Sequence, residues 1–162
     1  MIRLVVDTNI ILSALIKSRK IKNIILKKDN IVKLYTPAYA YFEILSHYNK
    51  ILKHTTLSEN DIWFILTEIL PRHIRVCGEY LYYNKLKEAF QIAKQFDEKD
   101  TPFIALSLKL DAPIWTGDKN MIIHSLRTGK YIALGTQAVE DLLKGKSIEE
   151  IKEDLKKRYL TE

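Results

Sequence analysis

Short hydrophobic runs alternate with helix-like repeats along the chain. The first run, Ile2–Val6, is rich in β-branched residues, which is typical of a strand buried on both faces. Four later runs predict further strands at residues 31–35, 73–76, 113–116 and 131–134. Alternating strands and helices are characteristic of parallel sheets. We therefore expect a three-layer α/β/α sandwich around a parallel sheet of four to five strands.

Apolar residues that recur every three or four positions predict the helices. Helical segments are expected after Asp7, around residues 21–25, and over 37–52, 58–70, 80–96, 101–110 and 136–143, with a last helix from about 147. Thr36 is expected to cap the 37–52 helix, Pro37 to be its first residue, and Pro71 to lie beyond the 58–70 helix. Residues 29–30 predict a turn. Because the sequence has no linker or repeat, we expect one domain over residues 1–162.

Composition excludes several classes of protein. At 162 residues the chain is long enough for a hydrophobic core without structural metals. Cys77 is the only cysteine, which excludes an internal disulfide and predicts a buried thiol in a reducing compartment. No apolar run approaches the ~20 residues that cross a bilayer, and Asp7 comes too early for a signal peptide. We expect a cytoplasmic protein with no membrane contact.

Acidic residues stand where predicted strands end. Asp7 follows the first strand, Asp118 follows the fourth after one glycine, and Asp100 begins the helix leading to that fourth strand. Glu43 lies in the second turn of the helix after strand two. Taken singly, each aspartate is more typical of a structural residue than of a catalytic one: Asp7 of a helix cap, Asp100 of a loop and Asp118 of a turn. Because ligands of parallel sheets bind beyond the carboxyl ends of the strands, we expect the four carboxylates to converge.

Converging carboxylates require a cation to offset their repulsion, and oxygen ligands suit Mg²⁺ or Mn²⁺. The net charge is +6, and outside the four acids 16 Asp and Glu stand against 26 Lys and Arg, an excess of +10. Such an excess favours a polyanionic substrate. Candidate contacts to it, each equally explained as a solvated surface charge, are Lys17, Arg19, Lys20, Lys22, Lys119, Arg127 and Lys130.

Four segments together resemble the PIN-domain family of metal-dependent nucleases, which includes VapC-type toxins. They are residues 5–12, 36–45, 100–107 and 114–118, in which Asp7, Glu43, Asp100 and Asp118 match the family's acids. No segment is specific by itself, but their order and spacing are. The arginine that often follows the fourth-segment threonine in toxins is Gly117 here, and Lys119 is the candidate replacement.

The resemblance implies an endoribonuclease that hydrolyses RNA phosphodiester bonds with one or two Mg²⁺ or Mn²⁺ ions. The residues it implicates are Asp7, Glu43, Asp100 and Asp118 as catalytic ligands, Asp97 as a further candidate ligand, Thr8, Asn9 and Thr116 as groups that orient the carboxylates, and Lys119 and Arg127 as substrate contacts. It also implies a homodimer and, for the toxin of a type II toxin-antitoxin pair, a small antitoxin protein.

Two other functions stay open. A catalytically silent PIN-fold module would bind RNA or a partner without cleaving it, although the presence of all four acids argues against silence. A phosphatase or nucleotide binder is less supported, because the chain has no glycine-rich phosphate loop and no second aspartate two residues after Asp7.

Aromatic residues and one histidine have two interpretations. The tyrosines, among them Tyr39, Tyr41, Tyr48, Tyr80, Tyr82 and Tyr83, are candidates for base stacking or for packing. Residues 62–70 are a candidate dimer surface or part of the core. His47, one turn after Glu43, either contacts the site or has an ordinary packing role.

Overall fold

A computed structural model describes residues 1–16, 18–27 and 31–161 of the chain. Its parallel strands form a single sheet in the order β3–β2–β1–β4–β5. The strand bounds are β1 Ile2–Val6, β2 Val32–Pro37, β3 Ile74–Cys77, β4 Ile114–Trp115 and β5 Ala133–Leu134. The predicted parallel α/β fold is confirmed. The turn predicted at 29–30 and the basic candidate Lys17 lie outside the described residues.

Helices connect the strands and cover the sheet. Their bounds are α1 Thr8–Ile16, α2 Arg19–Leu26, α3 Tyr39–Ser46, α4 Tyr48–His54, α5 Glu59–Phe64, α6 Leu70–His73, α7 Glu79–Tyr82, α8 Leu86–Ala93, α9 Thr101–Leu110, α10 Lys119–Thr128, α11 Thr136–Leu143 and α12 Ile148–Tyr159. A π-helical turn covers Ile65–Ile69, and 3₁₀ turns cover Tyr83–Lys85 and Glu98–Asp100. In this part of the chain no helix is long and apolar enough to cross a membrane.

The strand order reverses between β1 and β4. The chain steps outward from β1 through β2 to β3, and then returns to β4 and β5 on the other side. Right-handed crossovers place the helices of these two halves on opposite faces. The register pairs Val6 with Trp115, so the two strands end side by side. A crevice at their carboxyl ends is where ligands of such sheets bind.

Buried apolar residues fix these central strands. Leu4, Val5 and Val6 of β1 and Trp115 of β4 have no exposed surface. Phe103 of α9 is 1% exposed and belongs to the same core. Because β1 is covered on both faces, its direction and its end point are strongly determined, and the polar residues that follow it have a fixed position.

The structure corrects the predicted start of the helix after β2. Thr36 and Pro37 belong to the strand, where Pro37 pairs with Cys77, and helix α3 begins only at Tyr39. Thr36 is fully buried, and its hydroxyl donates to the Val6 carbonyl oxygen over 2.8 Å. Thr36 therefore stabilises the end of β1 rather than capping a helix.

The helix predicted over residues 37–52 is two helices, α3 and α4, that meet at His47. The Glu43 carbonyl oxygen accepts from the Ser46 hydroxyl at 2.7 Å and from the His47 backbone N–H at 3.2 Å, and it contacts His47 Nδ1 at 2.8 Å. Side-chain groups that bond the backbone in this way compete with a continuing helix, which explains the break.

Three further helix predictions differ from the structure. The helix expected to end at residue 70 continues to His73 and includes Pro71; since proline has no N–H to donate, the preceding π turn accommodates it. The 80–96 helix is divided by a 3₁₀ turn and ends at Ala93. Helix α10 was not predicted, because its buried face includes Ser125 beside Met121 and Ile122.

Candidate active site

Asp7 lies at the carboxyl end of β1, at the point where the strand order reverses. Its backbone N–H donates to the Trp115 carbonyl over 2.9 Å, and its side chain is buried. Oδ1 accepts from the Thr8 backbone N–H at 2.8 Å. Oδ2 accepts from the Thr116 hydroxyl at 2.7 Å and from Asn9 Nδ2 at 3.3 Å. These neutral donors fix the orientation of the carboxyl group.

Thr116 links the ends of β1 and β4. Its fully buried hydroxyl donates to Asp7 and accepts from the Asp118 backbone N–H at 3.0 Å. Asn9 adds a second link, because its Oδ1 accepts from the Gly117 N–H at 3.0 Å while its Nδ2 contacts the Thr116 hydroxyl at 3.3 Å. Thr116 and Asn9 thus connect two acidic residues that are 111 positions apart in the chain.

Glu43 and Asp118 are each held by a helix next to Asp7. Glu43 is on α3, and its Oε1 accepts from the Thr8 hydroxyl over 2.7 Å. Asp118 is the N-cap of α10, and its Oδ1 accepts from the backbone N–H groups of Asn120 and Met121 at 2.9 and 3.3 Å. Thr8 therefore connects the start of α1 to α3, and the second carboxylate oxygen of Asp118 is available for another partner.

Asp100 differs from the other acids of the site. It is the last residue of the 3₁₀ turn before α9, and its Oδ2 is buried without a hydrogen-bond partner in the described part of the chain. Asp97 caps the same turn through a 3.0 Å bond from the Lys99 N–H, and its side chain is exposed. A buried oxygen without a donor is costly, which makes Asp100 the acid in greatest need of a ligand.

The electrostatics show that these acids share one environment. Burial, followed by the charges of Glu43 and Asp118, raises the pKa of Asp7 to about 6, against hydrogen bonds that lower it. Burial, followed by the charges of Asp7, Asp97, Asp118 and Glu43, raises the pKa of Asp100 to about 7. The structure thus brings together the four predicted acids within electrostatic range, with Asp97 at their edge. We call Asp7, Glu43, Asp100 and Asp118 the carboxylate cluster.

The carboxylate cluster has the chemistry of a hard-cation site but not a closed coordination sphere. Across the described ranges, no group of three or more His, Cys, Asp or Glu side chains is arranged to hold a metal ion. Mg²⁺ needs only one or two protein carboxylates, since it keeps waters and binds substrate phosphate. The oxygen donors, the raised pKa values and the unpartnered Asp100 oxygen all fit such an ion.

The basic candidates are spread along the molecule. Lys119 directly follows Asp118, and its ammonium lies 5.5 Å from the centre of the Tyr159 ring. Arg127 is two turns further along α10, about 12 Å along the helix axis, toward the amino end of β5. Lys130 follows it on the way to β5, and Lys20 pairs with Glu140 at 2.5 Å. Among the described basic candidates, Lys119 is the one that directly follows an acid of the carboxylate cluster.

Sequence reasoning missed two residues that border the cluster. Thr36 donates a hydrogen bond to the last carbonyl oxygen of β1, whereas its sequence context predicts a helix cap. The Tyr131 hydroxyl is 2.8 Å from His124 Nδ1, and burial together with the charges of Asp100, Asp118 and Asp7 raises the pKa of the Tyr131 phenol. Tyr131 precedes a short strand, and nothing in its sequence pattern distinguishes it from an ordinary core tyrosine.

The family comparison agrees with this fold and this site. The family model described as PIN domain matches residues 5–156, nearly the whole chain. The chain therefore belongs to the PIN domain family, whose members are typically nucleases that use divalent metal ions. No curated protein matches it. Membership supports nuclease chemistry on nucleic acid, in keeping with the acids at the end of β1 and β4.

Proposed function

We propose that this protein is a metal-dependent endoribonuclease that hydrolyses RNA phosphodiester bonds in the cytoplasm. Residues 1–162 would act as one PIN domain, and Asp7, Glu43, Asp100 and Asp118 would be its catalytic residues. One observation carries the proposal most: a buried Asp100 oxygen without a donor lies in the field of four other carboxylates, those of Asp7, Asp97, Asp118 and Glu43. A divalent cation with a phosphate group would satisfy this arrangement.

The chain's own residues would hold Mg²⁺ or Mn²⁺ through the four carboxylates, with Asp97 as a further candidate ligand. When bound, the ion supplies positive charge at the phosphate and a water of lowered pKa. Thr116 and Asn9 keep Asp7 and Asp118 in register, and Thr8 orients Glu43. Lys119 is the candidate phosphate contact beside Asp118. The cluster would bind one or two such ions.

A cleavage assay on a mixed RNA pool tests the proposal. The parent chain is expected to cut RNA only when Mg²⁺ or Mn²⁺ is present, and Asp118→Asn to lose nearly all of this activity. Asp111→Asn is the matched control, because Asp111 is an exposed acid at the opposite end of α9 from Asp100. Equal cleavage by the parent and Asp118→Asn would refute the assignment, and mapped cut sites would give the sequence preference.

A catalytically silent RNA- or partner-binding module is the second candidate. The open geometry of the cluster favours this candidate, because no three ligating side chains among the described residues are arranged to hold one metal ion. Such a module would give no cleavage in any divalent ion, and Mn²⁺ would not stabilise it. The unpartnered Asp100 oxygen favours the enzyme, since a silent module gains nothing from it.

The biological role we propose is the toxin of a type II toxin-antitoxin pair, acting as a homodimer. The exposed side chains of Trp63 and Phe64, 42% and 57% exposed on α5, are the candidate dimer contact, while Ile62, Leu66 and Leu70 of the same segment are buried. Growth arrest on expression, relieved by a small protein encoded beside it, is the expected result. Unaffected growth would remove the toxin role and leave the nuclease proposal standing.

A further inference from the structure

An aromatic pair borders the carboxylate cluster, and the chemistry proposed above does not use it. Phe42 directly precedes Glu43 on α3 and is 67% exposed. Its ring stacks on Tyr39, with 5.9 Å between ring centres and 24° between the planes. Single exposed phenylalanines are common on protein surfaces. Here, however, two nearly parallel rings lie within one helical turn of a cluster acid.

This pair is anchored to the core. The Tyr39 ring lies edge-on to Phe103, with 6.4 Å between centres and an angle of 70°. Phe103 is 1% exposed and stands in the first turn of α9, three residues after Asp100. The aromatic pair is therefore positioned by the same helix that follows Asp100, and it needs no rearrangement to present the Phe42 ring to solvent.

Helical spacing and electrostatics place Tyr39 beside the acids, about one turn before Glu43 on α3. Burial, and then the charges of Glu43 and Asp97, raises the pKa of the Tyr39 phenol. Tyr39 is thus neutral at working pH and lies within the field of two acids at the rim of the cluster. A phosphate group would be repelled by those charges in the absence of a cation. The flat, uncharged faces of aromatic rings instead suit a nucleobase.

We propose that Phe42 and Tyr39 form a stacking platform for a nucleobase of the RNA strand, next to the phosphodiester held at the carboxylate cluster. This inference rests on the proposed nuclease function. Since every base has a π face, such a platform accepts all four bases and prefers those that stack best. It would hold the strand in position while leaving the choice of cut site to other contacts.

Fluorescence of a single-stranded RNA with one 2-aminopurine tests the platform directly. The full chain carrying Asp118→Asn, with Mn²⁺ present, keeps the RNA intact during titration. Stacking is expected to quench the probe. Adding Phe42→Ala should remove the quenching and raise the Kd about 5- to 150-fold, the range for loss of one stacked base. Phe42→Trp in the same Asp118→Asn background should retain both the quenching and the affinity.

Phe90→Ala is the matched control, because Phe90 is an exposed phenylalanine on α8, which contributes no acid to the cluster and belongs to no proposed contact. It should bind and quench like its parent, and both alanine variants should remain folded in thermal unfolding. If Phe42→Ala binds RNA normally, the platform is wrong. It is equally wrong if Phe42→Ala loses binding together with a fall in solution mass, since Phe42 then belongs to a contact between copies.

The outcomes also separate the platform from the nuclease proposal. Cleavage by the parent chain without any Phe42-dependent quenching would refute the platform and leave the enzyme in place. Phe42-dependent quenching in a chain that cleaves no RNA with any divalent ion would retain the platform and refute the enzyme.

Discussion

At the scale of single residues, one hydroxyl organises the site. Thr116 donates to Asp7 and accepts from the backbone of Asp118, so both carboxylates depend on it for their relative position. The Thr116 hydroxyl is fully buried. A nonpolar replacement would therefore remove a hydrogen bond from Asp7 and from the Asp118 N–H at a position that water does not reach. Thr116 is therefore expected to influence both folding and metal binding.

Replacing Thr116 with valine tests this role. Thr116→Val keeps the shape but removes the hydroxyl, and we expect the free energy of unfolding to fall by about 1–3 kcal/mol. Affinity for Mn²⁺ should fall roughly 10- to 100-fold, the usual loss when a group that orients metal ligands is removed. Thr116→Ser should retain most of both. Chemical denaturation and isothermal titration with Mn²⁺ measure the two quantities.

Thr136→Val is the control for that experiment. Thr136 accepts a 3.1 Å hydrogen bond from the Trp115 indole, so this variant also loses a bond next to β4, but it spares the acids. It should lower stability and leave Mn²⁺ affinity unchanged. Equal losses of Mn²⁺ affinity in the two valine variants would show that Thr116 has only a general structural role.

Asp100 gives a pH dependence whose sign is fixed by its pKa. The pKa is 3.8 in an ordinary environment and about 7 in the folded chain, so folding favours the neutral carboxyl. Its contribution to stability is complete below pH 4 and is lost as the pH rises through about 7. In EDTA at pH 8, Asp100→Asn should raise the free energy of unfolding by roughly 1–2 kcal/mol, after discounting for partial exposure.

The gain should be several-fold smaller at pH 4, where Asp100 is neutral in the folded chain and partly neutral in the unfolded chain, and it should also shrink when Mn²⁺ is added. Glu153→Gln, at an exposed position in the middle of α12, provides the comparison and should change little at either pH. Urea unfolding of the three proteins at pH 4 and pH 8, with EDTA or Mn²⁺, measures the effect. If Asp100→Asn and the parent chain have the same free energy of unfolding at pH 8 in EDTA, the cluster acids do not destabilise the ion-free protein.

At the scale of elements, the hydrophobic pattern predicted the middle of each strand and helix better than it predicted where they end. Strand β1 and helix α11 have the predicted bounds, because a buried β-branched run and a clear helical repeat leave few alternatives. Pro37 is compatible both with the start of a helix and with the end of a strand, and only its pairing with β3 decides between them. Helix ends therefore depend on tertiary contacts that local sequence does not contain.

The end of α10 is an exception, since a single glycine determines it. Gly129 is the C-cap with φ of +64°, and a Cβ added there would meet nothing within 4 Å. Gly129→Ala should therefore lower the free energy of unfolding by about 1 kcal/mol through backbone strain alone, and Gly129→Asn by less. Gly135→Ala is the control, because Gly135 has φ of −79° and room for a Cβ. A neutral Gly129→Ala in thermal denaturation would contradict the argument.

At the scale of the whole molecule, topology explains why four acids from distant segments could be predicted to meet. The carboxyl ends of β1 and β4 adjoin where the strand order reverses, which places Asp7 beside Asp118. The same reasoning could not anticipate that Asp100 lacks a donor or that Tyr131 lies in the field of the acids, since both depend on side-chain packing. The order of the strands could thus be predicted from the sequence, whereas the surroundings of individual side chains could not.

The charge of the whole molecule leads to the last prediction. With a net charge of +6, and an excess of +10 outside the four acids of the cluster, RNA should bind largely through its phosphates, so affinity should fall with salt. For three to five phosphate contacts we expect roughly a 20- to 120-fold loss between 50 and 200 mM salt. Lys119→Gln, beside Asp118, should reduce the slope of log affinity against log salt by about 0.7, the value of one contact to a single strand. Lys130→Gln should not, because Lys130 lines a cavity together with Asp111, at the opposite end of α9 from Asp100. Equal slopes for the parent and Lys119→Gln in fluorescence anisotropy titrations would place the phosphate contacts elsewhere on the molecule.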